Sequence, residues 1–334
     1  MTEKYKIYLS EDTRSRLVND AELFEFTKKD ESVNLNAFLK ALIVNYFDQY
    51  RHDSDDLLTN IITDLKAFSS IRPKDAEALA SRIVTGYIRN VETKGSGSAV
   101  ITLTVSGASY DIIRIIENNM LKDRSLSQYL KDMFNSYLSI PRSSREMIIF
   151  RDTYDDIRRA VDENRILSFT TTTAAGYSFA VEPYFIATSK EEQCNYLLCR
   201  DKKTGNPRTF RISRIRSAFV TAGTFDIDKE LHKELSIKAI RCPHSASPDI
   251  HAVVRLTPAG MQKFKVITKN RPAVTKTEGD LYYFDWPQQQ LEEYFRRFGK
   301  EAVVVGPEPL KKNLMGYYSS ALKAYRNDKK GLPS

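Results

Sequence analysis

The chain is short of the side chains most enzymes use. It has three cysteines, Cys194, Cys199 and Cys242, and four scattered histidines. An odd, sparse cysteine set is no disulfide framework and suits a reducing compartment. Cys242-Pro-His244 is the only close Cys/His pair. A zinc site needs about four ligands at paired spacing, so neither a metal nor another cofactor is expected. No P-loop, nucleophile elbow, His-Glu-x-x-His or grouped Ser/His/Asp appears. Asp55-Asp56 and Asp155-Asp156 sit in polar helical stretches and read as solvated faces. No run approaches the about 18 apolar residues of a membrane span. The first residues lack the apolar core of a signal peptide. The expectation is a cytoplasmic, non-catalytic protein.

What is present is an ordinary globular mix in 334 residues, 41% hydrophobic and 28% charged, enough for two or three domains. The net charge of +8 is unevenly spread. Residues 1–146 carry 20 Lys/Arg against 21 Asp/Glu, residues 147–226 carry 12 against 10, and residues 227–334 carry 19 against 12. A basic C-terminal half attracts polyanions and speeds encounter with them; it also serves plain solubility.

Lys4-Tyr-Lys-Ile-Tyr-Leu alternates as a half-buried strand does. Ser10 is a good N-cap for a following helix with Leu17, Val18, Ala21 and Phe24 at helical spacing. Asn34 or Asn36 caps a second helix bearing Phe38, Leu39, Leu42, Ile43, Tyr46 and Phe47. A similar unit follows: Val100-Ile-Thr-Leu-Thr-Val, a helix with Tyr110, Ile113 and Ile116, and another capped by Ser125 or Ser127. Helical segments near 55–69 and 74–92 and a flexible Gly95-Ser-Gly-Ser joint lie between. Residues 148–163 read as a linking helix. Six short β runs follow up to residue 221, then an α+β pattern from about 250.

The first strand–helix–helix unit resembles the ribbon-helix-helix DNA-binding fold. That resemblance implies Tyr5, Ile7 and Leu9 inward, Lys4, Lys6 and Tyr8 outward to read bases, and amides near Asn34–Asn36 on a phosphate. The second unit departs from it, with Val100, Thr102 and Thr104 outward and no basic or amide group among them. The repeats would pair with each other or with copies in a second chain. An oligomerisation module that touches no DNA is the competing reading.

Glu182-Pro-Tyr-Phe-Ile, Asn195-Tyr-Leu-Leu-Cys-Arg-Asp and Arg208-Thr-Phe-Arg-Ile-Ser-Arg-Ile resemble a WYL domain, with Asn195 where the naming tripeptide has Trp. The string Tyr294-Phe-Arg-Arg-Phe-Gly-Lys-Glu-Ala-Val-Val-Val-Gly-Pro-Glu-Pro-Leu resembles the extension that often follows such domains. The resemblance implies a small Sm/SH3-like β-barrel that binds a ligand, often single-stranded nucleic acid. The composition agrees. Arg200, Lys202, Lys203, Arg208, Arg211, Arg214 and Arg216 fall within seventeen residues, with only Asp201 opposing. Tyr184, Tyr196 and Phe210 lie nearby. Guanidinium forks and aromatic faces are what sequence-tolerant single-strand binding uses, although Tyr196 and Phe210 equally suit a core. Lys202 and Lys203 flank a Gly-Asn-Pro turn and read as hairpin-tip solvation. Arg208 and Arg214 share a strand face that Arg211 opposes, unless a turn follows Ile212.

The expected architecture is multidomain α+β: a ribbon-helix-helix-like region (1–146), a WYL domain (147–226) and an α+β extension (227–334) that serves dimerisation. This order of domains is similar to accessory proteins of type VI-D CRISPR systems, which bind RNA and enhance an RNA-guided ribonuclease. The implied partners are single-stranded RNA, such a ribonuclease and a second copy of the chain. The alternative is a transcriptional regulator that binds DNA through Lys4, Lys6 and Tyr8 while a WYL domain senses a ligand.

Overall fold

A computed structural model describes residues 2–68, 71–89, 98–121, 124–173, 176–245 and 249–327. The Gly95-Ser-Gly-Ser joint lies outside them save for Ser98. The fold is mixed α+β with three antiparallel sheets or ribbons. The chain divides into two compact units. One holds residues 1–180, 193–195 and 211–225, and the other 181–192, 196–210 and 226–334.

In the first unit, β1 (Thr2–Ser10) leads into α1 (Glu11–Leu23) through Ser10, whose hydroxyl accepts from the Thr13 amide at 3.1 Å. The next helix, α2 (Leu35–Phe68), is one continuous element where two were expected. The polar stretch 48–56 holds no Gly or Pro to stop it. Asn34 caps it, its side-chain oxygen accepting from the Ala37 amide at 3.1 Å. Asn36 instead grips Thr104 of the second repeat, accepting from its N–H at 2.7 Å and donating to its carbonyl at 3.1 Å. After α3 (Pro73–Arg89) the second repeat follows: β2 (Ser98–Ser106), α4 (Ala108–Asn119) and α5 (Leu126–Ser139), the last capped by Ser125.

The repeats pair with each other. β1 and β2 run antiparallel with Tyr5 opposite Leu103 and Lys6 opposite Thr102. Ile7, Leu9, Ile101, Leu103 and Val105 point inward onto Leu17, Phe24, Phe38, Leu42, Ile113, Phe134 and Tyr137. The period of two leaves Lys4, Lys6, Tyr8, Val100 and Thr102 on the exposed face. A buried bidentate pair locks α1 to the segment that follows the second repeat. Arg145 donates to Asp20 at 2.7 and 2.9 Å and also to the Ile140 carbonyl at 2.9 Å.

The expected linking helix is two helices, α6 (Arg142–Ile149) and α7 (Arg151–Asp162), separated at Phe150. Among the described residues the β segment then has five strands where six were expected: β3 (Arg165–Thr171), β4 (Ser178–Ser189), β5 (Cys194–Asp201), β6 (Pro207–Arg211) and β7 (Ile215–Thr224). The two runs expected on either side of Pro183 are both parts of β4. The sheet order is β6-β5-β4-β3-β7.

The second unit continues with α8 (Lys229–Arg241), β8 (Asp249–Leu256), α9 (Pro258–Val266), β9 (Lys276–Glu278), β10 (Leu281–Pro287), α10 (Gln288–Phe295), β11 (Ala302–Gly306) and α11 (Glu308–Asn327). Four strands form an antiparallel sheet in the order β11-β8-β10-β9. Val254, Phe284, Leu291, Tyr294, Phe295, Phe298 and Leu310 fill its core. No described helix is long and apolar enough to cross a membrane.

Candidate nucleic-acid interface

The arginines of the β segment are not bare cations. In the second unit, Arg200 donates to Glu182 at 2.6 Å and approaches Asp228 at 3.4 Å. Arg208 donates to Asp201 at 2.7 Å, and its guanidinium lies 5.4 Å from the centre of the Phe210 ring. Burial pushes the Asp201 carboxyl up, but Arg208 and the amides of Lys203 and Thr204 outweigh it and hold the carboxyl below its ordinary range. The Lys203 and Thr204 amides bond Asp201 as a turn at this hairpin tip.

In the first unit, Arg214 donates to Glu25 at 2.6 Å, and Thr172 donates to the same carboxylate at 2.8 Å. Burial raises the Glu25 pKa; these hydrogen bonds and the charges of Arg214 and Arg211 carry it below the ordinary value. Arg211 donates to the Leu23 carbonyl at 3.0 Å and lies 3.8 Å from Glu146. Arg216 donates to the Ser213 and Ile215 carbonyls at 2.6 and 2.9 Å. A 3-10 turn occupies Ile212–Arg214, the place where the sequence made the facing of Arg211 depend on a turn.

Glu146 is fully buried, and desolvation raises its pKa. Asn195, at the position of the tripeptide Trp, answers this charge. Its backbone N–H and side-chain amide donate to Glu146 at 2.6 and 2.9 Å, and the amide also reaches the Ser143 carbonyl at 2.8 Å.

The aromatics divide. Tyr184 is 4% exposed, with its hydroxyl accepting from the Asp228 amide at 3.3 Å. Tyr196 is 8% exposed and donates to Glu192. Phe210 is half-buried under Arg208. Arg208 and Arg214 keep nearly half of their side-chain surface in solvent, while Arg211 is largely covered. On the ribbon of the first unit, Lys4, Lys6 and Tyr8 are all exposed. An ion pair near the surface contributes little to stability and is readily exchanged for a phosphate. Of Arg200, Arg208, Arg211 and Arg214, the two most exposed are Arg208 and Arg214, and each donates to a carboxylate.

Sequence reasoning missed the acids. Glu25 and Glu146 lie far from the arginine string in the chain, and only Asp201 is local. It also passed over a group in the second unit, Arg241, His244, Asn270, Trp286 and Gln290, which lines a cavity. His244 drew notice only as half of a weak metal motif. Among the described residues no three His, Cys, Asp or Glu side chains gather as a metal would need.

Residues 152–220 match the WYL domain. No curated protein matches the chain at a significant level. A solved structure described as a CRISPR Cas-related protein matches 99% of this chain and 96% of its own, with a TM-score of 0.69 at 19% identity. Proteasome accessory factor B/C (PafBC) of Arthrobacter aurescens matches with a TM-score of 0.27 at 11% identity, covering 97% of this chain and 65% of its own, too weak a likeness to argue from. Residues 152–220 are thus similar to a WYL domain, and the chain shares its fold, nearly end to end, with a solved structure described as a CRISPR Cas-related protein.

Proposed function

We propose that the chain is a non-catalytic accessory protein that binds single-stranded RNA and stimulates the RNA-guided ribonuclease of a type VI-D CRISPR system. One observation carries the reading: a WYL domain sits within a chain whose fold matches a CRISPR Cas-related protein over 99% of its length. Three segments divide the work: 1–146 as scaffold, 147–226 as the RNA-contacting domain and 227–334 as the dimerising extension. Val303 and Val305, exposed on the edge strand β11, favour a homodimer built there.

Arg208 and Arg214 are the contacts on which the reading rests, with Arg200 and Phe210 in support. Replacing both with Gln lowers affinity for a single-stranded RNA by about tenfold or more and flattens its salt dependence. Arg211 is left out of that variant because its burial against Glu146 makes it a folding residue as well. The same variant fails to speed target cleavage by the ribonuclease where the wild-type chain does. Unchanged RNA affinity removes the surface; unchanged stimulation removes the accessory role.

The exposed row Lys4, Lys6 and Tyr8 favours a second reading, an operator-binding regulator. Removing residues 1–50 cannot separate the two, because α1, α2 and β1 make up much of the first unit's core. Ala substitution of Lys4, Lys6 and Tyr8 together does. It abolishes duplex binding under the second reading and spares RNA binding under the first.

A further inference from the structure

A cavity of about 200 Å³ lies wholly within the second unit, between the end of β4, the end of α8 and the start of α10. Its wall holds an unusual number of polar atoms that are shut off from solvent and hydrogen-bonded to nothing: both side-chain atoms of the Gln290 amide, both ring nitrogens of His244 and the side-chain oxygen of Asn270. Gln290 as a whole is 4% exposed. Buried polar groups are nearly always paired, and an unpaired set in a native fold calls for an occupant. Together these atoms supply donors and acceptors side by side, the pattern a nucleobase edge presents in return.

The rest of the lining fits the remainder of a nucleotide. Lys190, Arg241 and Arg271 bring three cations, against Glu191 alone, whose carboxylate already accepts from the Asn270 backbone N–H at 2.6 Å. Arg271 also donates to the Phe264 and Lys265 carbonyls, at 3.3 and 3.4 Å. The guanidinium of Arg241 lies 4.5 Å over the Trp286 ring, and the pair also borders a second cavity of about 420 Å³. An indole face and a guanidinium plane are the two platforms on which a base stacks. The volume is below that of the usual cofactor site, which limits an occupant to a single nucleotide unit at most and excludes a strand.

We propose that this cavity takes a single nucleotide unit, its base edge bonded by Gln290, His244 and Asn270 and its phosphate by Arg241 and Arg271. The site shares no residue with the arginine surface proposed for RNA, and it stands if that surface fails. The same chemistry arrives either as a free nucleoside monophosphate or as the phosphorylated end of an RNA.

Trp286 is the only tryptophan in the chain and borders both cavities, so its fluorescence reports a ligand in either, and Gln290, which lines the smaller cavity alone, tells them apart. Full-length protein is titrated with each of the four ribonucleoside monophosphates, with inorganic phosphate, and with short oligonucleotides bearing or lacking terminal phosphates. The expected result is saturable quenching by at least one nucleotide at concentrations where inorganic phosphate has no effect. Gln290→Met and Arg241→Gln each weaken it by about tenfold. Arg241 is exposed, so its variant tests the site even if Gln290→Met does not fold. The Arg208/Arg214 Gln variant quenches like wild type. Quenching by phosphorylated oligonucleotides alone identifies a strand terminus as the source. The proposal is overturned if no nucleotide or oligonucleotide gives saturable quenching, if inorganic phosphate reproduces the signal, or if Arg241→Gln binds as wild type does.

Discussion

Glu146 and Asn195 show how much one buried carboxylate asks of its neighbours. The carboxylate is out of water, and the full charge of Arg211 is 3.8 Å away with no hydrogen bond to it. Asn195 supplies two donors. Truncating its side chain leaves the carboxylate one donor short, and we expect Asn195→Ala to lower stability by about 1–3 kcal/mol, read as a shift in the urea midpoint with an unchanged slope. Glu25 behaves in the opposite sense. Its folded pKa lies below its unfolded value, so it binds fewer protons folded than unfolded near its titration range. It therefore adds stability above the ordinary carboxylate range and loses it as pH falls through the folded value. A Glu25→Gln variant is less stable than wild type at pH 7, and the gap closes as the medium is acidified below that range. A gap that widens in acid contradicts the assignment. None of these partnerships could be read from the sequence, because the arginines and their acids are separated by up to 189 residues.

At the scale of elements, the strands of the N-terminal repeats were the most legible part of the chain. The alternation in Lys4-Tyr-Lys-Ile-Tyr-Leu and Val100-Ile-Thr-Leu-Thr-Val gives a period that only a half-buried strand satisfies, and the caps at Ser10 and Ser125 follow from local hydrogen bonding. Boundaries failed where a local signal was overridden. Pro183 reads as a break yet sits inside β4, and the polar middle of α2 reads as a gap yet is helix throughout. The sequence also left open which strand β1 would pair with, since pairing is a long-range choice. Two elements meet too closely for any side chain at Gly260. A Cβ there would lie 2.1 Å from the Glu301 carbonyl oxygen, where α9 passes the turn before β11. Gly260→Ala should cost about 1–3 kcal/mol of stability. In the first unit, Asp20→Ala leaves Arg145 buried without its carboxylate and should cost about 3–5 kcal/mol. Thermal or urea unfolding checks both. A change under about 0.5 kcal/mol, the range of ordinary surface substitutions, would contradict either.

For the molecule as a whole, the charge excess and the arginine string do not coincide. Residues 227–334 carry most of the positive excess, while the arginines from 200 to 216 are largely balanced by carboxylates brought to them by the fold. The contiguous arginine string therefore overstates the local positive charge of residues 200–216, which Glu182, Asp201 and Glu25 largely offset. Polyanion binding should be strongly salt-dependent and draw on both segments. The WYL region was recognisable because Arg208-Thr-Phe-Arg-Ile-Ser-Arg-Ile is contiguous. The cavity at Trp286 was not, because its lining comes from four separate stretches whose polar residues look ordinary one at a time. A preference of the protein for single-stranded RNA over duplex DNA is read by competition at fixed ionic strength. A labelled single-stranded RNA bound to the protein is challenged with unlabelled RNA and with duplex DNA of equal length. The account predicts that RNA displaces the probe at the lower concentration, and that the Arg208/Arg214 Gln variant loses the probe while the Lys4/Lys6/Tyr8 Ala variant keeps it. Stronger competition by duplex DNA, with probe binding lost in the Lys4/Lys6/Tyr8 variant, would contradict it.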